Sequence, residues 1–225
     1  MPGEQPHFHT KRELAVLRMK DAILLGRYRP GQSLRQVQLM ADLGLGATPA
    51  REAALELVAR GLLVHESHRG VRVAELDGER AAHVYQVRGL LESEAARLAA
   101  ANATDTSTER LARETRAMES AFKAHDLKRL SIADERFHRT LCEGANNPVL
   151  LKLVEQLWEQ FPRYMLWRNP ARVAQSLREH REIARRFARR DADGTAQAVR
   201  DHILHGLAAL DAMLREQADD ARSKP

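Results

Sequence analysis

The chain has 225 residues, enough for one large domain or two smaller ones, and a single cysteine, Cys142, which excludes a disulfide framework and suits a reducing compartment. With 36 Lys and Arg against 31 Asp and Glu the net charge is +5, an excess that permits nucleic-acid binding without demonstrating it, because the two signs are interspersed. No apolar run approaches the roughly 18 residues of a membrane span, and MPGEQPHFHTKREL lacks the apolar centre of a secretory signal, so a soluble, cytoplasmic protein with no membrane partner is expected.

In chain order, ELAVLRMKDAILLG is an amphipathic helix stopped by Gly26, and RPGQSL is the turn after it. LRQVQLMADLG is a second short helix with Leu34, Leu39 and Leu43 facing inward and Gly44 as its C-terminal cap. A third helix is expected from about Pro49 to Arg60, with Thr48 as its N-cap, Pro49 in the first turn and Gly61 as its stop. LLVHE and VRVAE then form two short strands around SHRG, where Gly70 can take a positive φ. Three helices followed by a two-stranded ribbon describe a winged helix-turn-helix, whose third helix enters the major groove of DNA.

Beyond about residue 75 the composition changes to long Ala, Leu, Glu and Arg stretches broken at NATDTST, AHD, GANNP, RNPAR and DADGT. This reads as an all-helical bundle of about six helices over residues 76–218, with 219–225 as a frayed polar tail. In the first of these helices Val84, Val87, Leu91, Ala95 and Leu98 make an apolar stripe. The expected fold is therefore mainly α, an N-terminal winged helix-turn-helix over residues 1–75 followed by a C-terminal helical bundle.

Residues 11 to 75 resemble the DNA-binding domain of the GntR family of bacterial transcription regulators. The resemblance is carried by Leu24 to Gly31, by Leu43-Gly44-Leu45, by Thr48-Pro49-Ala50-Arg51-Glu52-Ala53, by Arg60-Gly61-Leu62-Leu63 and by Arg69-Gly70. Residues 78 to 215 are similar to the all-helical ligand-binding (FCD) domain of that family's FadR subgroup, through YQVRGLLESEAARLAA, DERFHRTLCEGANNP, REHREI and RDHILHG. One departure concerns recognition: Gly46-Ala47 stands where the family usually has Ser-Arg, and an operator that departs from the common half-site is expected.

The DNA contacts can be ranked. Arg51, on the first exposed turn of the third helix, is the first choice for a base or phosphate; Thr48 and the neighbouring backbone N–H groups are phosphate clamps, because a helix N-terminus attracts anions. Arg35 and Arg69 are positioning contacts, with His68 and Arg72 weaker candidates. Residues 1 to 75 carry 11 Lys and Arg against 8 Asp and Glu, so specificity has to come from placement. A single recognition helix contacts too few bases to select a genomic site, and a homodimer on a two-fold operator in double-stranded DNA is expected.

In the bundle, Asp134 and His138 are spaced i and i+4 among Leu130, Phe137 and Leu141, so they share an inward face. His180 lies on the stripe of Leu177, Ala184 and Phe187, and His202 on that of Val199, Gly206 and Leu210. A lone inward histidine is more often a hydrogen-bonded core residue, but four inward polar groups from three helices are costly without a shared partner, and one divalent metal ion would supply it. Three imidazoles and a carboxylate suit Zn, Ni, Mn or Fe. The resemblance implies the same four ligands, with His205 as the competitor to His202.

Arg88 has two readings, a half-buried ion pair with Glu92 or an arginine that reaches into the cavity to grip a carboxylate effector. Asn147, before Pro148, reads as a turn or cap residue and is counted with Arg88 as an expected effector contact. Trp158 and Trp167, with Phe161, read as core or dimer-contact residues, and the RREIARRFARRD charge run as a solvated face. The expected function is a DNA-binding regulator, a repressor, controlled by a small organic acid bound at the metal. A metal-ion sensor and a metal-dependent enzyme with an appended DNA-binding domain are the competing classes. No separate general base is placed by a recognisable motif, so no catalytic residue is assigned and no enzyme is expected.

Overall fold

The computed structural model describes residues 10–66, 70–75, 77–160, 166–167 and 169–222. The chain divides into two compact units, Met1–Leu76 and Asp77–Pro225.

In the first unit, helix α1 (Lys11–Leu24) starts from a reciprocal cap: Thr10 Oγ1 accepts from the Glu13 amide and Glu13 returns a carboxylate to the Thr10 amide. It ends before Gly26, whose φ of 77° is left-handed. Strand β1 (Ser33–Leu34) precedes helix α2 (Gln36–Leu43), which Gly44 closes at φ 61°. Helix α3 (Ala47–Ala59) follows, then strands β2 (Leu63–Glu66) and β3 (Gly70–Val73). The sheet is antiparallel in the order β1-β3-β2, with Leu34 opposite Val71 and Leu63 opposite Val73. Met19, Leu34, Leu39, Leu57, Leu63 and Val73 form the core beneath it.

Two local expectations are corrected here. Leu34 is buried as expected, but on a strand rather than on the second helix, because the two-residue pairing with β3 is too short to leave a periodic signal. Helix α3 begins two residues earlier than Thr48 would set it. Gly46 is its N-cap and Thr48 lies exposed inside the first turn, capping nothing. Pro49 is still tolerated, since the first four amides of a helix have no intrahelical acceptor.

The second unit consists of α4 (Gly78–Ala101), α5 (Asp105–Lys123), α6 (Leu127–Gly144), α7 (Pro148–Trp158), α8 (Pro170–Ala188) and α9 (Ala192–Arg222). All six start from an Asp, Thr or Asn whose side chain accepts from first-turn amides: Asp77, Thr104, Asp126, Asn147, Asn169 and Asp191. Left-handed His125, Asn146 and Arg190 reverse the chain in three of the loops. Helix α4 packs on α6, α7 and α9, and α8 on α5 and α9.

The α4 stripe is rotated from the one expected. Val87 is 42% exposed, while Arg88 and Glu92 are buried beside Val84, Tyr85 and Ala95. Instead of a frayed tail, α9 continues to Arg222, because MLREQADDAR holds neither Gly nor Pro to stop it. No helix among the described residues is long and apolar enough to cross a membrane.

Gly70 is the backbone position on which the wing turns. Its φ is +106°, and an added Cβ would lie 2.7 Å from the Leu34 carbonyl oxygen. Gly70→Ala is expected to destabilise the winged unit by about 1–3 kcal/mol, measured as earlier urea unfolding by hydrogen exchange of the β1 and β3 amides; an unchanged midpoint would contradict the assignment.

Candidate metal centre and nucleic-acid interface

Asp134 and His138 project from α6, His180 from α8 and His202 from α9, all buried, and one ligand atom from each lies within 4.8 Å of the others. Two metal–ligand bonds of about 2.1–2.2 Å come close to spanning that separation. His180 Nε2 is 3.2 Å and His138 Nε2 3.9 Å from Asp134 Oδ1. The three rings stand 4.5–5.4 Å apart between centroids. His205, the sequence competitor of His202, is half-exposed and outside the group.

The distal ring nitrogens settle which atoms face inward. His180 Nδ1 donates to the Ser176 carbonyl at 2.7 Å, His202 Nδ1 donates to Glu179 Oε2 at 2.8 Å, and His138 Nδ1 lies 3.0 Å from Glu92 Oε2. With a proton on Nδ1, each ring turns its Nε2 towards Asp134. His180 Nε2 is buried without a hydrogen-bond partner among the described residues, 3.2 Å from a carboxylate oxygen. Two acceptors at that distance repel unless a cation lies between them. The donor set therefore fits a divalent metal.

The electrostatics agree. Burial, reinforced by the neighbouring His180, pushes the His202 imidazole down to about 3 against the pull of Glu179, keeping it neutral. Burial works to raise the Glu92 carboxyl, but the Arg88 guanidinium and His138 prevail and hold it well below the usual carboxylate range. Glu179 is held low in the same way, its burial outweighed by His202 and Arg172.

A cavity of about 30 Å³ adjoins the cluster, lined by Tyr85, Arg88, Trp167, Arg172 and Ile203 together with Asp134, His138 and His202. The ion-pair reading of Arg88 holds, in a buried rather than half-buried form: Nε donates to Glu92 Oε1 at 2.7 Å, the guanidinium carbon is 4.8 Å from the centre of the Tyr85 ring, and the residue lines the cavity. Asn147 does not belong to the site. It is exposed, absent from the lining, and its side-chain oxygen accepts from the Leu150 amide as the cap of α7. Sequence reasoning missed Glu92, Ser176 and Glu179 as partners of the histidines, and Arg172 and Trp167 as lining residues. Trp158, read as core, also donates its indole N–H to Glu92 Oε1 at 2.9 Å. Phe161 lies outside the described residues.

In the winged unit, Arg51 and Arg35 are exposed, on the second turn of α3 and at the N-cap of α2. Arg18 Nη1 donates to the Leu43 carbonyl at 2.9 Å and ties α1 to the end of α2, and Gln36 Nε2 donates to the Ala47 carbonyl at 3.0 Å and ties α2 to the start of α3. Arg72 is tied to Glu75 and Glu66 within the wing. Arg69 and His68 lie outside the described residues.

The model of bacterial regulatory proteins of the gntR family matches residues 11–73, and the FCD domain model matches residues 83–205. The chain belongs to the GntR family and carries an FCD domain. The Nta operon transcriptional regulator of Aminobacter aminovorans is 30% identical over 178 residues, 78% of this chain and 83% of that one. The HTH-type transcriptional regulator McbR of Escherichia coli is 24% identical over 215 residues, 93% and 97% of the two chains. The solved structure of E. coli McbR/YncC superposes with a TM-score of 0.82 at 22% identity, covering 92% of this chain and all of that one, and so shares the fold. This GntR protein is accordingly a DNA-binding transcriptional regulator and not an enzyme.

The neutral state of His202 sets a pH dependence. In the unfolded chain its imidazole titrates near 6.5, in the folded chain only at about 3. The unfolded state thus binds more protons throughout that window, and stability falls as pH drops from 6.5 towards 3. The depressed Glu92 and Glu179 add further loss below the usual carboxylate range. For metal-stripped protein, the urea midpoint read from Trp158 and Trp167 fluorescence should be lower at pH 5.5 than at 7.5, and His202→Asn should flatten the difference. Equal midpoints in the unmodified chain would count against a buried neutral His202.

Proposed function

We propose that this GntR protein is a homodimeric repressor whose operator affinity is set by a small carboxylate taken up beside a divalent metal in the FCD domain. The observation that carries the reading is the buried Asp134, His138, His180 and His202 cluster, in which the outer nitrogens of His180 and His202 are held by separate acceptors and that of His138 lies 3.0 Å from Glu92. A bound Zn, Ni, Mn or Fe would supply Lewis acidity and room for oxygen donors of the effector. The chain's own residues do the rest: Arg88 offers a planar cation for the carboxylate, and Tyr85, Trp167 and Ile203 exclude water around it.

On DNA, Arg51 reads from the second turn of α3, Arg35 and Arg69 position the domain, and the open amides beside Thr48 clamp phosphate. Thr48 does so through the backbone, since Gly46 leaves the start of α3 without a side-chain cap. Effector and operator binding are joined by linkage, each changing the affinity of the other. The cytoplasm is the expected compartment. The 30 Å³ cavity favours a second reading in which the ion itself is the effector, since about one water fits in such a space and an organic acid has to widen it.

Arg51→Ala should abolish specific operator binding with the fold intact, read by titration of labelled operator against random DNA; retained specificity would remove α3 from the reading role. Operator affinity should also fall steeply with salt, the slope giving the number of phosphate contacts. His138→Ala should lose metal from the purified protein by elemental analysis. Chelated wild type that still responds to an organic acid would exclude the metal-sensor version.

A further inference from the structure

Around the four candidate ligands the polar atoms form two matching chains. In the first, Arg88 Nε donates to Glu92 Oε1 at 2.7 Å and Glu92 Oε2 lies 3.0 Å from His138 Nδ1, joining α4 to α6. In the second, Arg172 Nη1 donates to Glu179 Oε2 at 2.9 Å and the same oxygen accepts from His202 Nδ1 at 2.8 Å, joining α8 to α9. Each chain runs from arginine through glutamate to a ligand histidine, and both arginines line the cavity. His180 has no such chain, its outer nitrogen being held by the main-chain carbonyl of Ser176.

Resting on the metal reading above, we infer that Glu92 and Glu179 are positioning residues that join the metal and anion halves of the cavity, each orienting one ligand imidazole while holding one cavity arginine. A carboxylate has finite acceptor capacity, and at Glu179 both partners use one oxygen. The Arg172 guanidinium draws electron density from the oxygen on which the His202 N–H depends, which makes Nε2 of that ring a weaker donor. An anion at Arg172 offsets that charge, the carboxylate turns more fully to His202, and the ring becomes a stronger metal ligand. By reciprocity, metal at the histidines raises the affinity of the arginines for anion. Arg172 Nε is buried and without a hydrogen-bond partner among the described residues, so the guanidinium keeps a donor for such a ligand. The other oxygen of Glu179 accepts from Gln175 and His205 at 2.8 Å each, and Glu92 Oε1 also accepts from Trp158, so both carboxylates are held in place from several sides.

The test titrates zinc into chelator-stripped, full-length protein in competition with a chromogenic chelator, and records the visible absorption of the cobalt(II)-loaded form. Glu179→Gln should weaken zinc binding on the order of 10–100-fold and change the position or intensity of the cobalt bands, a readout that a purely structural link between α8 and α9 would not move. Glu182→Gln, three residues along α8, deletes the same charge where, among the described residues, it pairs with Arg185 and Arg186, and should leave both readouts unchanged. Arg172→Met should tighten zinc. Glu92→Gln supplies an independent arm on the other chain, with the same expected loss. Zinc affinity within twofold of wild type and an unaltered cobalt spectrum in the two glutamate variants, or weaker zinc in Arg172→Met, would overturn the inference while leaving the metal centre standing. Wild type that binds neither ion would overturn both.

Discussion

Burying a carboxylate among three imidazoles inside a helical bundle costs several kcal/mol unless each polar atom has a partner, and much of the second unit is arranged to meet that demand. Helix α4 turns Arg88 and Glu92 inward where an apolar stripe would pack more easily. Helix α7 contributes Trp158 to the same carboxylate. The first turn of α8 places Arg172 beside Glu179 and the carbonyl of His202. Packing around the cluster is tight: Phe137 meets His180 edge to face at 4.7 Å, so the ring can hardly rotate away from Asp134. Rigidity and charge balance are therefore two sides of one constraint.

How much of this was legible in the sequence depends on how far apart the cooperating residues lie. Asp134 and His138 share one helix face, and the periodicity of their apolar neighbours points both inward. His180 and His202 could be placed by the same argument on α8 and α9. Their outer-nitrogen partners were harder to find, because Glu92 orients a ring on another helix and Glu179 reaches from α8 to α9. Periodicity speaks of one helix at a time. It misled on α4, where it selected Val87 over Arg88, since charged residues are not expected on a buried face unless their counter-charges are known.

The winged unit shows the same division. Gly44 and Gly70 were legible because only a left-handed or sterically crowded backbone explains a glycine there. Strand β1 was not, since its pairing with β3 is decided by residues far along the chain. The pattern of apolar spacing and glycine stops supplied the order of elements, which the resemblance to GntR regulators matched, while the placement of the α3 cap at Gly46 came only from the backbone.

That bare cap bears on the thermodynamics of recognition. A helix started by Ser, Thr or Asp carries its own acceptor and is ordered before it meets a ligand. Helix α3 has none, so the amides of Ala47 and Thr48 in its first turn, one turn before the exposed Arg51, stay open to an incoming phosphate oxygen. On the DNA-reading role proposed above, the operator would act as the missing cap, and a well-placed phosphate, as well as a matching base, would be a condition for tight association.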